Sequence, residues 1–224
     1  MKKLLFIIFL FFSITLFSQE GVWILKNNER IDEKKPSQPA IKGLIIDFQK
    51  SIVKPVYTDT IIRFKIDRLN NKMKALKTDV WSKYKVFKND SLIIEDTESN
   101  NKLFFYPLEL NRRINKSKNE IIDLLTKKEF NKIEDSITLN FKKEIVFKHI
   151  KKRELKTNYN YDKSSGGWFL SEINSNFFLG FSFAPYVQGY DIFQITKIRS
   201  DKICLKRIIK TYYISDFKEL IIKK

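Results

Sequence analysis

The chain has 224 residues and a formal net charge of +17, from 43 basic and 26 acidic residues. Only eight of the basic residues are arginine and the lysines are scattered, a pattern that serves solubility and argues against a phosphate- or base-reading site. One cysteine, one histidine and six glycines exclude an internal disulfide and a cysteine metal cluster, and leave no phosphate-cradling glycine loop.

The first feature along the chain has the layout of an export leader. Met1-Lys2-Lys3 precedes an apolar run from Leu4 to Phe17, broken only by Ser13 and Thr15, and polar residues follow. A short positive start, an apolar stretch and a polar region are the three parts of a secretory signal. The run has fourteen positions, short of the roughly 20 that a spanning helix needs. Cleavage is therefore expected over retention as an anchor. Ser18 is small enough to precede the cut at Ser18–Gln19, although Leu16 is larger than usual for its place. No cysteine follows the run, which excludes lipid attachment there. The expected layout is a signal over residues 1–18, a first β-rich half over 19–110, a linker and short helix over 111–128, and a second β-rich half over 129–224. The expected location is outside the cytoplasm, with no membrane span once the signal is removed.

Residues 27–40 are polar and carry two prolines, so they read as a loop. From Ile41 onward, short apolar runs alternate with polar turns. Ile62, Phe64 and Ile66 alternate with Arg63 and Lys65; Ile137, Leu139 and Phe141 with Thr138 and Asn140; Phe177, Leu179, Phe181 and Phe183 with Phe178, Gly180 and Ser182. A period of two marks strands with one buried face. Asn89-Asp90 and Ser200-Asp201 sit between such runs as hairpin turns. One segment departs from this rhythm. Ser117-Lys118-Asn119-Glu120 fits a capping box, and Ile121, Ile122, Leu124 and Leu125 follow at helical spacing. The spacing predicts a helix over about 118–128. Ser215 to Leu220 is compatible with a short helix or a last strand.

Several blocks recur in the same order. Leu44-Ile45-Ile46 with Asp47-Phe48-Gln49-Lys50-Ser51-Ile52-Val53 lines up with Ile137-Thr138-Leu139 and Asn140-Phe141-Lys142-Lys143-Glu144-Ile145-Val146. Tyr84-Lys85-Val86 and Asp90-Ser91-Leu92-Ile93-Ile94 line up with Phe193-Gln194-Ile195 and Asp201-Lys202-Ile203-Cys204-Leu205. Ordered self-similarity of this kind points to an internal duplication, with an insertion near Tyr159 to Gly167 in the second copy.

No pattern announces catalysis. His149 is a lone imidazole on an apolar strand, and no nucleophile elbow of the Gly-x-Ser-x-Gly type accompanies it. Glu95, Asp96, Glu98, Glu134, Asp135 and Glu172 are the carboxylates that a hydrolase could recruit across sequence distance. Each sits among polar neighbours, where a solvated surface is the ordinary role. No cofactor and no metal site is expected. The densest feature is aromatic: Trp168, Phe169, Phe177, Phe178, Phe181, Phe183, Tyr186 and Tyr190. These rings form either a sheet core or an apolar site for a ligand or partner. Trp168, Phe177, Phe178, Phe181, Tyr186 and Tyr190 are the candidate contacts. Phe177 and Phe178 are consecutive, so one of them must face away from the core.

Gly21-Val22-Trp23-Ile24-Leu25 resembles the Gly-x-Trp opening of lipocalins, and Gly167-Trp168-Phe169-Leu170 repeats it. Tyr190-Asp191-Ile192-Phe193-Gln194-Ile195, followed by Asp201-Lys202-Ile203-Cys204-Leu205, resembles the closing hairpin of small exported lipocalin-like proteins of Gram-negative bacteria. Gly167-Trp168 departs from that pattern, because it follows several strands of its half. The resemblance implies an all-β, antiparallel meander or barrel, to which the recurring blocks and the capping box add two similar halves joined by a short helix. It implies at most a binding role without catalysis, and with the leader and the scattered lysines the expectation is a periplasmic, envelope or secreted protein that binds an apolar small molecule or an envelope protein and no nucleic acid. An interaction protein without a pocket is the alternative, and a hydrolase using distant carboxylates the weaker one.

Overall fold

A computed structural model describes residues 21–38, 40, 42–58, 60–87, 90–132, 137–143, 145–147, 150–158, 165–182, 190–210 and 218–223. At 132, 137, 145–147, 150–158, 165 and 182 it describes the backbone alone. The chain divides into two compact units, Met1–Glu109 and Leu110–Lys224. Both are antiparallel β structures, and the only helix among the described residues is short.

In the first unit, β1 (Val22–Arg30), β2 (Leu44–Asp47), β3 (Ile52–Pro55), β4 (Ile62–Asp67), β5 (Lys72–Ala75), β6 (Ser82–Phe87), β7 (Ser91–Asp96) and β8 (Asn101–Pro107) pair in sequence order. β1 also pairs with β8, which closes the barrel and leaves no sheet edge exposed. The alternation along each strand sets the inside. Phe64 and Ile66 lie opposite Ala75 and Met73, and Tyr84 and Val86 lie opposite Ile94 and Leu92. Trp23, Leu25, Ile46, Phe48, Phe64, Tyr84, Leu92 and Phe105 form the core. Each such side chain contributes about 1.5–3 kcal/mol when fully buried. The tight turns need left-handed backbone, and asparagine tolerates it: Asn71 has φ 51° and Asn100 has φ 55°.

Asn27 to Arg30 are strand, not the loop their polarity predicts. A bulge between Leu25 and Asn27 shifts the register, and these four residues then pair with Phe104, Leu103, Lys102 and Asn101 of β8. Pairing to one neighbour at the barrel's lip lets polar side chains stay wet within a strand. The loop that follows is held by two buried asparagines. Asn100 accepts from Asp32 N and donates to the carbonyls of Asp32 and Lys35, at 2.9, 2.9 and 3.1 Å. Asn101 donates to the Gln38 carbonyl at 2.7 Å.

The second unit opens with α1 (Lys118–Lys127). Its strands are β9 (Phe130–Lys132), β10 (Ile137–Phe141), β11 (Ile145–Phe147), β12 (Ile150–Asn158), β13 (Ser165–Ile173), β14 (Asn176–Ser182), β15 (Asp191–Ile198), β16 (Lys202–Ile209) and β17 (Glu219–Ile222). They form a nine-stranded sheet in the order β10, β9, β17, β16, β15, β14, β13, β12, β11. β10 also pairs with β12, so the round of pairings returns to β9 through β10. β17 resolves the C-terminal alternative in favour of a strand at 219–222. The capping box of α1 is formed: Glu120 N donates to Ser117 Oγ at 3.3 Å, and Ser117 N donates to the Glu120 carboxylate at 2.7 Å. Ile121 and Leu125 of α1 are buried in the second unit's core beside Phe130, Phe141, Trp168 and Phe181.

Three of the recurring sequence blocks occupy matching places, whereas Ile52-Val53 lies on β3 and Ile145-Val146 on β11, which pairs with β12 and stands outside the round. Counted along each round of pairings, Leu44-Ile45-Ile46 and Ile137-Thr138-Leu139 lie on the second strand (β2 and β10), while Tyr84-Lys85-Val86 and Phe193-Gln194-Ile195 lie on the sixth (β6 and β15). Leu92-Ile93-Ile94 and Ile203-Cys204-Leu205 lie on the seventh (β7 and β16).

Candidate functional site

An up-and-down barrel puts alternate turns at opposite ends. In the first unit, β1, β3, β5 and β7 end where β2, β4, β6 and β8 begin. The loops at this end are 31–43, 56–61, 76–81 and 97–100. A cavity of about 280 Å³ opens here, near the lower limit for small-molecule pockets. Its walls are the inward positions of successive strands: Leu44 and Ile46, Val53, Ile62 and Phe64, Met73 and Ala75, Ile94, and Leu103 and Phe105. The space exists because several inward residues are small. Ala75 lies opposite Phe64, and Ser82 lies opposite Met73. An eight-stranded barrel is just wide enough for side chains to fill, or for one small ligand where they do not.

The mouth is edged by apolar groups that water reaches. Ile31, Ile61, Ile62, Leu76, Val80 and Trp81 are all exposed by 39% or more, and every one falls in a mouth loop or at the adjoining start of β4. These six make up most of the large exposed hydrophobics among the described residues. Concentration at one opening, not the presence of single exposed apolar residues, marks a binding surface. Lys74 lines the cavity with its ammonium 3.3 Å from Asp79 Oδ1 and 5.4 Å from the Trp81 ring centre. Asp96 and Glu98 line it too. Asp96 follows the inward parity of Leu92 and Ile94, and its carboxylate accepts from Ser99 N at 3.3 Å and Ser99 Oγ at 2.5 Å.

The aromatic candidates lie in the second unit. Trp168, Phe177 and Phe181 belong to its core, where Phe181 stacks on Phe193 at 5.1 Å. Trp168 Nε1 donates to the Lys142 carbonyl at 2.9 Å. Phe178 takes the opposite face of β14, as two consecutive strand residues require, yet it is 0% exposed. On that face Asn176 ties down the incoming chain. Its Oδ1 accepts from Arg112 N at 2.9 Å and from Gln194 Nε2 at 3.1 Å, and its amide donates to the Leu110 carbonyl at 3.1 Å. Tyr190 is half-buried with its ring edge-on to Phe169 at 5.2 Å, and burial raises its phenol pKa. Tyr186 lies outside the described residues, as do His149, Glu134 and Asp135. Glu95 and Glu172 are exposed.

The structure therefore brings together a set that the sequence reading did not assemble: Val53, Met73, Ala75 and Ser82 around a void, with Asp96 and Glu98 at its lip. The available signal was the small residues at inward positions. Among the described residues no group of three or more His, Cys, Asp or Glu side chains is placed to hold a metal ion. The chain matches no protein-family model, no curated protein and no solved structure.

Proposed function

We propose that the protein is a non-catalytic binding protein, exported to the cell envelope or beyond, whose first barrel takes up a small apolar molecule. The observation that carries this is the apolar cavity inside the closed barrel, opening among exposed apolar loop residues. Transfer of an apolar body from water into such walls contributes roughly 25 cal/mol per Å² buried. The leader-like N-terminus supports export, and among the described residues no helix is long and apolar enough to cross a membrane. The lipocalin-like sequence features and the matching strand places support a duplicated barrel, in which the first copy keeps room for a ligand inside its strands. In the second unit, Ile121 and Leu125 of α1 join the core instead.

The weaker reading, a hydrolase with paired carboxylates, has one point in its favour: Asp96 and Glu98 reach a single cavity. The walls argue against it. A sugar or peptide must be met by many hydrogen-bonding groups, and these walls are aliphatic and aromatic.

The test is titration with N-phenyl-1-naphthylamine, a neutral apolar fluorophore. Enhanced, blue-shifted emission that saturates at one equivalent, together with quenching of tryptophan, is the expected result. Ala75→Phe, which fills the cavity, abolishes the response. A response unchanged by that substitution, or none from the folded wild type, rejects the proposal.

A further inference from the structure

Among the residues that line the cavity, the balance of charge differs in sign from that of the whole chain. The chain carries +17, but the charged residues lining the cavity are one lysine, Lys74, against two carboxylates, Asp96 and Glu98. Lys74 is already engaged by Asp79, 3.3 Å away, and by the Trp81 ring. Lys34, Lys35, Lys42 and Lys77, like Asp79, stand on the same loops but do not line the cavity, and Lys35 lies 3.7 Å from Asp32.

We propose that the preferred ligand is an apolar molecule bearing a cationic amine head. This rests on the binding function proposed above. The apolar body lies along Ile46, Phe64, Met73, Ile94 and Phe105, and the ammonium emerges where Asp96 and Glu98 meet water. Asp96 is fixed for this role, because its two hydrogen bonds from Ser99 hold the carboxylate at the strand's inward position. A carboxylate head would stand against these same groups, with its attraction to Lys74 competing against Asp79. The distant positive charge does not reverse the preference. Beyond about 8 Å, salt screens exposed charges at physiological ionic strength, so the nearest groups decide.

The experiment displaces N-phenyl-1-naphthylamine with octylamine, octanol and octanoate, which share one tail. Octylamine is expected to bind about tenfold or more tighter than octanoate, with octanol between them, as one charge-assisted hydrogen bond implies. Half-molar salt narrows the spread. Asp96→Asn and Glu98→Gln together collapse the preference, read as the ratio of octylamine to octanoate affinity within the same variant. Glu98→Gln alone changes an exposed side chain, so it reports part of the same loss even if Asp96→Asn disturbs the turn. Octanoate equal to or tighter than octylamine, or an order unaffected by these substitutions, overturns the inference while octanol binding still upholds the cavity. Failure of all three, octanol included, overturns both.

Discussion

Gly180 lies directly beneath the ring of Phe169. The two residues are partners across β13 and β14, and a Cβ on Gly180 would fall inside van der Waals contact of Phe169 Cε1 and Cζ and 2.9 Å from Cδ1. The ring also meets Tyr190 edge-on, so swinging it aside loses that contact. Gly180→Ala is expected to lower stability by about 1–3 kcal/mol, as overpacking does. In a Phe169→Ala background the same change should be neutral or stabilising, because glycine weakens a strand interior. Urea denaturation of the four proteins in this cycle checks the coupling.

The alternation that exposed the strands also hid the site. Period-two runs such as Ile62-Arg63-Phe64-Lys65-Ile66 carry their buried face openly, and Ser117 with Glu120 marks the helix start. β12 was not legible, because Ile150-Lys151-Lys152-Arg153-Glu154 shows no apolar alternation. Asn27 to Arg30 misled for the same reason, since a strand paired at a barrel lip needs no apolar face. The site was missed for an opposite cause. Dense aromatic sequence points to Phe177, Phe178 and Phe181, but Phe177 and Phe181 fill the core of the second unit and Phe178 is fully buried on the opposite face. A cavity appears where inward residues are small, at Ala75, Val53 and Ser82, and small residues carry little weight in a search for apolar mass.

The two core tryptophans differ in their hydrogen bonding. Trp168 Nε1 donates to the Lys142 carbonyl, whereas Trp23 Nε1 is buried and meets no acceptor among the described residues. Replacing each with phenylalanine removes the same volume. Trp168→Phe also loses a hydrogen bond, and Trp23→Phe relieves a buried donor of its desolvation penalty. Trp168→Phe should therefore cost about 1 kcal/mol more than Trp23→Phe. Equal losses in chemical denaturation would contradict the assignment.

The start of α1 is expected to add an acid-dependent contribution to the stability of the second unit. Hydrogen bonds from the Ser117 backbone and hydroxyl hold the Glu120 carboxyl below its ordinary value of 4.5. Hydrogen bonds from Lys127 and Lys143 lower that of Asp123. A lowered folded pKa means that the unfolded chain binds the proton first. The stabilisation is therefore present above the ordinary value and fades as pH falls through the folded one. Glu120→Gln should reduce stability near neutral pH and flatten its decline below 4.5. The measurement is stability against pH for both proteins. An identical slope would show that the capping box does not persist in solution.

Affinity and stability should separate at the cavity wall. Met73 is nearly buried and lines the void. Met73→Ala enlarges the void, with an expected loss of about 2–5 kcal/mol, and should admit longer tails, shifting preference from octyl to dodecyl compounds. Ala75→Phe fills the space from the strand opposite Phe64 and should cost no more than the about 1–3 kcal/mol of a small-to-large change while abolishing binding. Phe178→Ala is the control from the second unit, because its ring is fully buried there. It should cost about 3–5 kcal/mol yet leave the affinity of the folded fraction unchanged. If Phe178→Ala abolished binding in protein that remained folded, and the two cavity substitutions did not, the ligand would belong to the aromatic face of the second unit.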